Sequence, residues 1–269
     1  MTLLRCSHFT IALVSIFVAV AFISAVAGSG GDPASPEYFS YTIVQQYPHD
    51  PAASTQGLVW DEGGVFEGTG LYGKSSLRLV DLKTGRVALK REYEQQYFAE
   101  GITVFKGTVF QLTWKNNRLF QYDKHDLSLI RSWEFPWQGW GITNDQNHLI
   151  ASNGTAELYL LDPETLEEIR RITVHDEQGS VTHLNELEYI EGAIYANVWP
   201  TGRIAIIQPD NGVVSGWLDL TDLFIRMQHE NRADELNGIM FDPADGRLFV
   251  TGKLWPFIFE IKMVSITNH

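Results

Sequence analysis

The stretch Thr55-Gln56-Gly57-Leu58-Val59-Trp60-Asp61 recurs in altered form four more times along the chain. The other copies are Ala99-Glu100-Gly101-Ile102-Thr103, Gly139-Trp140-Gly141-Ile142-Thr143, Leu184-Asn185-Glu186-Leu187-Glu188 and Leu236-Asn237-Gly238-Ile239-Met240. With Gly57, Gly101, Gly141, Glu186 and Gly238 aligned, the steps between copies are 44, 40, 45 and 52 residues. Steps close to this length are typical of propeller blades. The repeat therefore predicts an all-β fold, a five-bladed β-propeller.

Short segments rich in β-branched and aromatic residues follow each copy at similar positions. The first set is Val65–Glu67, Thr108–Trp114, His148–Ser152, Ala193–Trp199 and Arg247–Thr251. A second set precedes turns rich in Asp, Pro or Gly, and comprises Leu77–Asp81, Leu119–Asp123, Leu158–Asp162 and Ile204–Gln208. Segments of this length separated by such turns predict antiparallel strands joined by hairpins.

The last repeat is incomplete, because Phe257–Met263 supplies a third strand and no fourth follows it. The alternating stretch Phe39–Tyr47 precedes the first repeat and has no inner strand of its own. We therefore predict that this N-terminal strand pairs with the last blade and closes the ring, which covers strand edges that would otherwise be exposed. One short helix is expected, as an insertion over Asp219–Gln228 in the longest repeat step.

The N-terminal segment is typical of a secretory signal. One charged residue, Arg5, precedes an apolar run of 17 residues, Ile11–Ala27, which ends in Ala25-Val26-Ala27. This layout predicts a signal peptide over 1–27, a disordered linker over 28–37 and one propeller domain over 38–269. The alternative is an uncleaved anchor, since the run lies at the short edge of lengths that span a bilayer. The protein is expected to be exported, to a bacterial periplasm or by secretion.

Charge and cysteine content restrict the partners of the mature chain. The formal net charge is -13, and it becomes -14 when the segment carrying Arg5 is removed. No basic cluster is visible, so we expect no nucleic-acid binding and no stable membrane association after cleavage of the signal. Cys6 is the only cysteine and lies in the predicted signal, so the mature chain has no disulfide. We expect it to be a monomer.

The residue before each aligned position points to a site. Equivalent positions on the innermost strands of a propeller form a ring around the mouth of the central channel. These residues are Gln56, Glu100, Trp140, Asn185 and Asn237. They could merely hydrogen bond to neighbouring loops and brace the blades. A carboxylate aimed into a channel beside amides and aromatic rings is costly to desolvate, and this favours a functional role.

A second ring is expected at the ends of the second strands. Its members are Glu67, Thr69, Trp114, Lys115, Asn153, Trp199, Lys253 and Trp255. Trp114, Trp140 and Trp199 are predicted to form apolar walls and Lys253 to place a positive charge near Glu100, which together describe a small-ligand site. Each residue also has a purely structural explanation, and Glu67 could simply pair with a nearby cation. The histidines show no zinc-binding spacing, so neither a metal nor another cofactor is expected.

Nine segments together resemble one known family, the plant-type glutaminyl-peptide cyclotransferases, also called glutamine cyclotransferases. The segments are Thr55–Leu58, Phe66–Gly73, Glu100–Thr103, Thr113–Asn117, Gly139–Gly141, Leu184–Tyr189, Asn197–Pro200, Leu236–Ile239 and Thr251–Pro256. The resemblance runs from about Tyr41 to Ile261 and implies a five-bladed propeller that converts N-terminal Gln to pyroglutamate with release of ammonia. Two departures are Ser54, where the family often has an aromatic residue, and Gly68, where it has Ser.

The resemblance also implies roles for individual residues. The acid/base Glu of the family falls on Glu100, and the pocket residues fall on Gln56, Phe98, Trp114, Trp140, Asn185, Trp199 and Lys253. Attack of an amine on its own γ-amide is intramolecular, so orientation supplies much of the catalysis. Glu100 could carry a proton from the amine to the departing ammonia, while Lys253 could stabilise the oxyanion together with Gln56 and Asn185. The expected partners are peptides or proteins with an N-terminal Gln.

Two other functions fit the same residues. Glu100, Asn185 and Asn237 could chelate a divalent cation, as in a propeller lactonase or esterase. A non-catalytic propeller that binds a peptide or a sugar would use tryptophan and amide side chains equally well.

Overall fold

The computed structural model describes residues 35–231 and 233–266. It divides the chain into two compact units, Met1–Asp32 and Pro33–His269, and the following account concerns the second unit. The predicted signal peptide over 1–27 and most of the predicted linker over 28–37 lie outside the described residues. Both remain predictions.

The described chain is almost entirely β-structure, as predicted, and three of its sheets are four-stranded antiparallel meanders. In each of them the strands follow one another in sequence order. The first meander comprises β2 (Thr55–Asp61), β3 (Gly64–Thr69), β4 (Ser76–Val80) and β5 (Val87–Glu92). The second comprises β6 (Ala99–Phe105), β7 (Thr108–Thr113), β8 (Arg118–Asp123) and β9 (Leu129–Glu134). The third comprises β10 (Ile142–Asn144), β11 (Leu149–Ser152), β12 (Glu157–Leu161) and β13 (Glu168–Thr173).

The fourth large sheet has eight strands, in the order β16-β17-β18-β19-β1-β22-β21-β20. One half is a meander of β16 (Leu184–Ile190), β17 (Ala193–Val198), β18 (Arg203–Ile207) and β19 (Val214–Asp219). The other half contains β20 (Leu236–Asp242), β21 (Arg247–Gly252), β22 (Phe257–Ser265) and β1 (Glu37–Pro48). β1 runs antiparallel to β22 and parallel to β19. The predicted pairing of the N-terminal strand with the last strand of the final repeat is confirmed.

Two further elements interrupt the repeat. A two-stranded hairpin of β14 (His175–Asp176) and β15 (Gly179–Ser180) was not predicted. The expected helix is present as α1 (Thr221–Asn231). It begins two residues later than predicted because Asp219 ends β19 and accepts the backbone N–H of Thr221 at 2.8 Å. Among the described helical residues, none forms a helix long and apolar enough to cross a membrane.

The first strands of the five four-stranded groups lie against one another. β2 contacts β6, β6 contacts β10, β10 contacts β16, β16 contacts β20, and β20 contacts β2. Five buried apolar clusters lie between neighbouring groups. For example, Val59 and Phe66 of the first group pack with Ile102 and Phe120 of the second.

The glycines of the repeat permit this close approach of the first strands. A Cβ atom added to Gly57 would lie 2.5 Å from the backbone nitrogen of Ile102, and one added to Gly101 would lie 2.6 Å from the backbone oxygen of Trp140. Real Cβ atoms do not approach backbone atoms so closely. The repeated glycine is therefore a packing requirement of the inner strands.

The fourth copy carries Glu186 in place of the glycine. Its buried carboxylate accepts backbone N–H groups from two other first strands, Leu58 at 3.3 Å and Ile239 at 2.8 Å. Burial and the nearby Glu188 raise the pKa of Glu186 well above its usual value. Glu188 accepts the N–H of Phe241 at 3.2 Å, and burial raises the pKa of Glu188 to about 8. These two glutamates join the first strands across the interior.

Candidate active site

A cavity of about 450 Å³ opens beside the first strands and has mostly apolar walls. It is lined by Ser54, Gln56, Leu71, Phe98, Glu100, Trp114, Trp140, Asn185, Trp199, Asp234, Glu235 and Lys253. All eight residues predicted for the site are among them. The structure thus brings the predicted residues together in one cavity, while the role of each stays a prediction.

The positions of these residues follow from the repeat. Gln56, Glu100 and Asn185 lie on the first strands β2, β6 and β16, and Trp140 lies just before β10. The remaining four residues lie at strand ends: Phe98 before β6, Trp114 after β7, Trp199 after β17 and Lys253 after β21. Strands from all five four-stranded groups therefore present their ends to one volume.

Glu100 is the buried carboxyl of the cavity, with 6% of its surface exposed. Among the described residues, no side chain or backbone group hydrogen bonds to its carboxyl oxygens. Burial raises the pKa of Glu100 well above its usual value, and the positive charge of Lys253 lowers it by a smaller amount. A carboxyl group with a raised pKa holds a proton more readily than an exposed carboxyl does, which suits it to general acid/base catalysis.

Two buried polar atoms of the cavity wall have no hydrogen-bond partner among the described residues. One is the indole Nε1 of Trp140, a donor, and the other is Oδ1 of Asn185, an acceptor. Buried polar atoms are nearly always paired in folded proteins. The unpaired donor and the unpaired acceptor both belong to residues that line the cavity.

Aromatic rings form the walls as predicted. Phe98 packs edge-on against Trp114 with ring centroids 5.6 Å apart, and Trp140 packs edge-on against Trp199 at 6.1 Å. Gly154, with φ of +82°, lies beneath the Trp140 ring, where an added Cβ atom would be 2.7 Å from the indole. The wall residue Trp140 therefore depends on a glycine one strand away.

One member of the predicted inner ring does not line the cavity. Asn237 lies behind Gln56 and donates from its amide to Gln56 Oε1 at 3.2 Å and to the backbone oxygen of Thr55 at 3.1 Å. The bracing explanation is therefore correct for Asn237. Because the Gln56 oxygen accepts from Asn237, the other end of the Gln56 amide, its NH₂ group, is left for the cavity. This NH₂ group has no hydrogen-bond partner among the described residues.

Five members of the predicted second ring do not line the cavity: Glu67, Thr69, Lys115, Asn153 and Trp255. Glu67 instead lies in a buried ion cluster, 2.9 Å from His49 Nε2 and 2.7 Å from an Arg78 nitrogen. Burial would raise the pKa of Glu67, but His49, Arg78 and Thr55 together lower it to about 2. Pairing with nearby cations, the simpler explanation, is thus confirmed for Glu67.

Sequence reasoning missed the acidic part of the cavity wall. Asp234 and Glu235 follow α1 in the insertion, which has no counterpart in the other repeats, so alignment of the copies gave no signal for them. Glu235 lies 3.7 Å from Lys253 Nζ. Ser54 and Leu71 also line the cavity and were not predicted for the site.

No group of three or more His, Cys, Asp or Glu side chains in residues 35–231 and 233–266 could hold a metal ion. Of the three oxygen ligands considered for a cation, Glu100 and Asn185 line the cavity and Asn237 does not. The expectation that the protein needs no metal stays a prediction.

Comparisons with known proteins agree with the geometry of the site. The family model described as glutamine cyclotransferase matches residues 14–263. A glutaminyl-peptide cyclotransferase from Arabidopsis thaliana is 42% identical over 226 residues, which cover 82% of this chain and 70% of the relative. The crystal structure of Myxococcus xanthus glutaminyl cyclase matches with a TM-score of 0.82 and 31% identity, covering 87% of this chain and 100% of that one. This chain belongs to the glutamine cyclotransferase family, as the resemblance predicted.

Proposed function

We propose that this protein is a glutaminyl-peptide cyclotransferase, which converts the N-terminal Gln of peptides or proteins to pyroglutamate and releases ammonia. The observation that carries the proposal is the combination, in one aromatic cavity, of the unpaired Trp140 N–H, the unpaired Asn185 oxygen and the buried carboxyl of Glu100. The relatives named above are enzymes of this kind.

A glutamine side chain fits the two unpaired wall atoms. Its primary amide has one C=O acceptor and one NH₂ donor. The C=O can accept from Trp140, and the NH₂ can donate to Asn185. A glutamate side chain would offer no donor to the Asn185 oxygen when ionised, so the arrangement favours Gln over Glu.

The reaction needs one proton to move. The α-amine nitrogen forms a bond to the γ-amide carbon, and the carbonyl oxygen takes the electron pair. When the tetrahedral intermediate collapses, the bond to the amide nitrogen breaks and that nitrogen leaves as ammonia. Glu100 takes the proton from the attacking amine and gives it to the leaving nitrogen, so the carboxyl ends as it began.

The negative charge on the carbonyl oxygen needs stabilisation during this step. The free NH₂ group of Gln56 and the ammonium of Lys253 both line the cavity. Donors fixed in a partly buried site stabilise a developing oxyanion more strongly than water does. We assign Gln56 and Lys253 to that role and the four aromatic residues, Phe98, Trp114, Trp140 and Trp199, to holding the substrate in the attacking conformation.

We also infer that the five four-stranded groups are the blades of a five-bladed β-propeller. The cyclic contacts of the first strands, the five apolar clusters between neighbouring groups and the fourth-strand position of β1 support this arrangement. An experimental structure showing five sheets around one axis is the test, and an eight-stranded sheet that forms a continuous barrel apart from the others would contradict it.

Export, the monomeric state and metal independence belong to the same proposal. Cleavage after Ala27 is supported by Ala25-Val26-Ala27, and intact-mass measurement on exported protein would detect a retained signal. Delivery to a periplasm or outside the cell, without stable membrane association, follows from that cleavage. Sedimentation of the mature protein tests the monomer.

The decisive experiment is an ammonia-release assay on purified protein with a Gln-initiated dipeptide, with and without EDTA. We expect full activity in both conditions. Activity that EDTA removes and calcium or zinc restores would favour a metal-dependent lactonase or esterase. Binding of the dipeptide without ammonia release would indicate a non-catalytic binding protein.

A further inference from the structure

Lys253 has one acidic partner at ion-pair distance among the described residues. Its Nζ atom lies 3.7 Å from Oε2 of Glu235, and the two side chains are 15% and 21% exposed. The ionisable residues that line the cavity are Glu100, Asp234, Glu235 and Lys253. The Lys253 ammonium therefore shares the cavity with three carboxyl groups and lies at ion-pair distance from that of Glu235.

The backbone fixes this arrangement. The N–H of Asp234 donates to the carbonyl of Lys253 at 2.8 Å, and the N–H of Lys253 donates to the carbonyl of Glu235 at 2.9 Å. The indole N–H of Trp255 donates to the carbonyl of Asp234 at 2.9 Å. These three bonds hold the segment after α1 against the end of β21, so Glu235 and Lys253 cannot move apart independently.

Glu235 contacts a second wall residue as well. The indole of Trp199 contributes a hydrogen bond to its carboxylate. Burial would raise the pKa of Glu235, but the positive charge of Lys253 and hydrogen bonds from Asp234 and Trp199 together lower it, which favours the ionised form. One carboxylate from the insertion thus contacts both Lys253 and Trp199.

We propose that Glu235 is a positioning residue, which holds the Lys253 ammonium at the cavity wall and away from Glu100. The inference rests on the proposed function of the cavity. Without Glu235, the Lys253 ammonium could form an ion pair with Glu100 inside the cavity. Because Glu100 must carry the proton in the proposed reaction, that ion pair would hinder catalysis. The insertion therefore supplies a residue, Glu235, on which the site depends, although the other repeats have no such insertion.

The first test is the Glu235→Gln variant. The amide keeps the size of the side chain and an oxygen for the Trp199 indole, and it removes only the charge. We expect kcat for a Gln-initiated dipeptide to fall about tenfold and KM to change little. A change of this size lies within the range of interaction energies between residues of one salt-bridge network. Glu168→Gln is the matched control, because Glu168 forms an exposed ion pair with Arg171 and does not line the cavity. Wild-type kcat in Glu235→Gln would overturn the proposal.

The second test is a double-mutant cycle with Lys253→Ala. If Glu235 acts through Lys253, adding Glu235→Gln to Lys253→Ala lowers kcat little further, because the group to be positioned is already absent. A further loss equal to that of the single variant would show an independent role and overturn the proposal. Wild-type kcat in Lys253→Ala would overturn it too.

A third measurement does not depend on activity. Crystal structures of the wild type and of Glu235→Gln should show the Lys253 ammonium beside Glu235 in the first and displaced from that position in the second. An unmoved Lys253 would overturn the inference. Absence of ammonia release by the wild type would reject the proposed function, and the crystal structures would still decide whether Glu235 positions Lys253.

Discussion

The side-chain amide of Asn237 donates a hydrogen bond to Gln56 Oε1 at 3.2 Å. This bond fixes which end of the Gln56 amide faces the cavity: the oxygen is held from behind, and the NH₂ group remains for the substrate. The orientation of a residue that we assign to oxyanion stabilisation is thus set by a residue that does not line the cavity.

We expect Asn237→Ala to lose both stability and turnover. The partners left without a donor, Gln56 Oε1 and the Thr55 carbonyl, are buried, and such a loss costs about 1–3 kcal/mol of unfolding free energy. Turnover should fall because the Gln56 amide becomes free to rotate. Urea denaturation and ammonia release measure the two effects. Asn211→Ala, which removes an exposed asparagine bonded to Gln208, is the control and should keep wild-type turnover.

Glu100→Gln should abolish most of the activity without loss of fold. The amide has the same shape but no basicity, so turnover should fall by roughly a hundredfold or more. The unfolding free energy should be unchanged or higher, because a buried carboxyl without a hydrogen-bond partner is replaced by a neutral group. Ammonia release and urea denaturation are the measurements, with the exposed Glu134→Gln as control. Near-wild-type turnover would remove Glu100 from the mechanism and direct attention to Asp234 and Glu235, the other carboxyl groups that line the cavity.

Glu188 should make the protein less stable as pH rises. Burial raises its pKa to about 8 in the folded state, while an unfolded Glu titrates near 4.3. The folded state therefore holds a proton that the unfolded state has lost, and stability decreases between these values by up to about 1.4 kcal/mol per pH unit. Denaturation of wild type and Glu188→Gln from pH 4 to pH 9 tests this. The unfolding free energy of the variant should rise relative to that of the wild type up to about pH 8. Parallel curves of unfolding free energy against pH would contradict the raised pKa of Glu188.

Arg78→Met should destabilise the fold far more than it affects the cavity. It would leave the buried Glu67 with one fewer cationic partner, and breaking a buried ion pair costs about 3–5 kcal/mol. The wild-type pKa of Glu67 is about 2, so its contribution is complete above the unfolded pKa and is lost as pH falls towards 2. The difference in unfolding free energy between the wild type and Arg78→Met, measured by denaturation, should therefore become smaller as the pH falls towards 2.

Glu67→Gln should reduce turnover less than Lys253→Ala does.

Gly154→Ala should displace the Trp140 wall. The new Cβ would lie 2.7 Å from the indole, at a backbone φ of +82°. We expect a loss of roughly 1–2 kcal/mol of stability from the left-handed backbone and a further loss of turnover from the moved ring. Gly192→Ala is the matched control, since Gly192 has a φ of +91° and nothing within 4 Å of an added Cβ. Equal turnover in the two variants would show that Gly154 does not support Trp140.

The sequence was informative wherever a contact recurs in each repeat. Gly57, Gly101 and Gly141 recur because the first strands are too close for a Cβ atom, and this spacing identified the residues beside them, including Glu100. Glu235 could not be predicted in that way, because it lies in an insertion present once. The partners of Glu67 were also hidden, since His49 precedes the repeat and Arg78 is one of many strand residues, and only folding brings them within 3 Å of the carboxylate.

The pairing of β1 with β22 has a consequence for synthesis. Residues near the two ends of the described chain are neighbours along most of β1, from Phe39 opposite Ser265 to Pro48 opposite Phe257. Contacts between segments so distant in sequence slow folding, because the intervening chain must be ordered first. The strand β1 has no antiparallel partner until β22, which comes much later in the chain, has been synthesised. A chaperone that shields residues 37–48 in the interval would protect the nascent chain from aggregation through that strand.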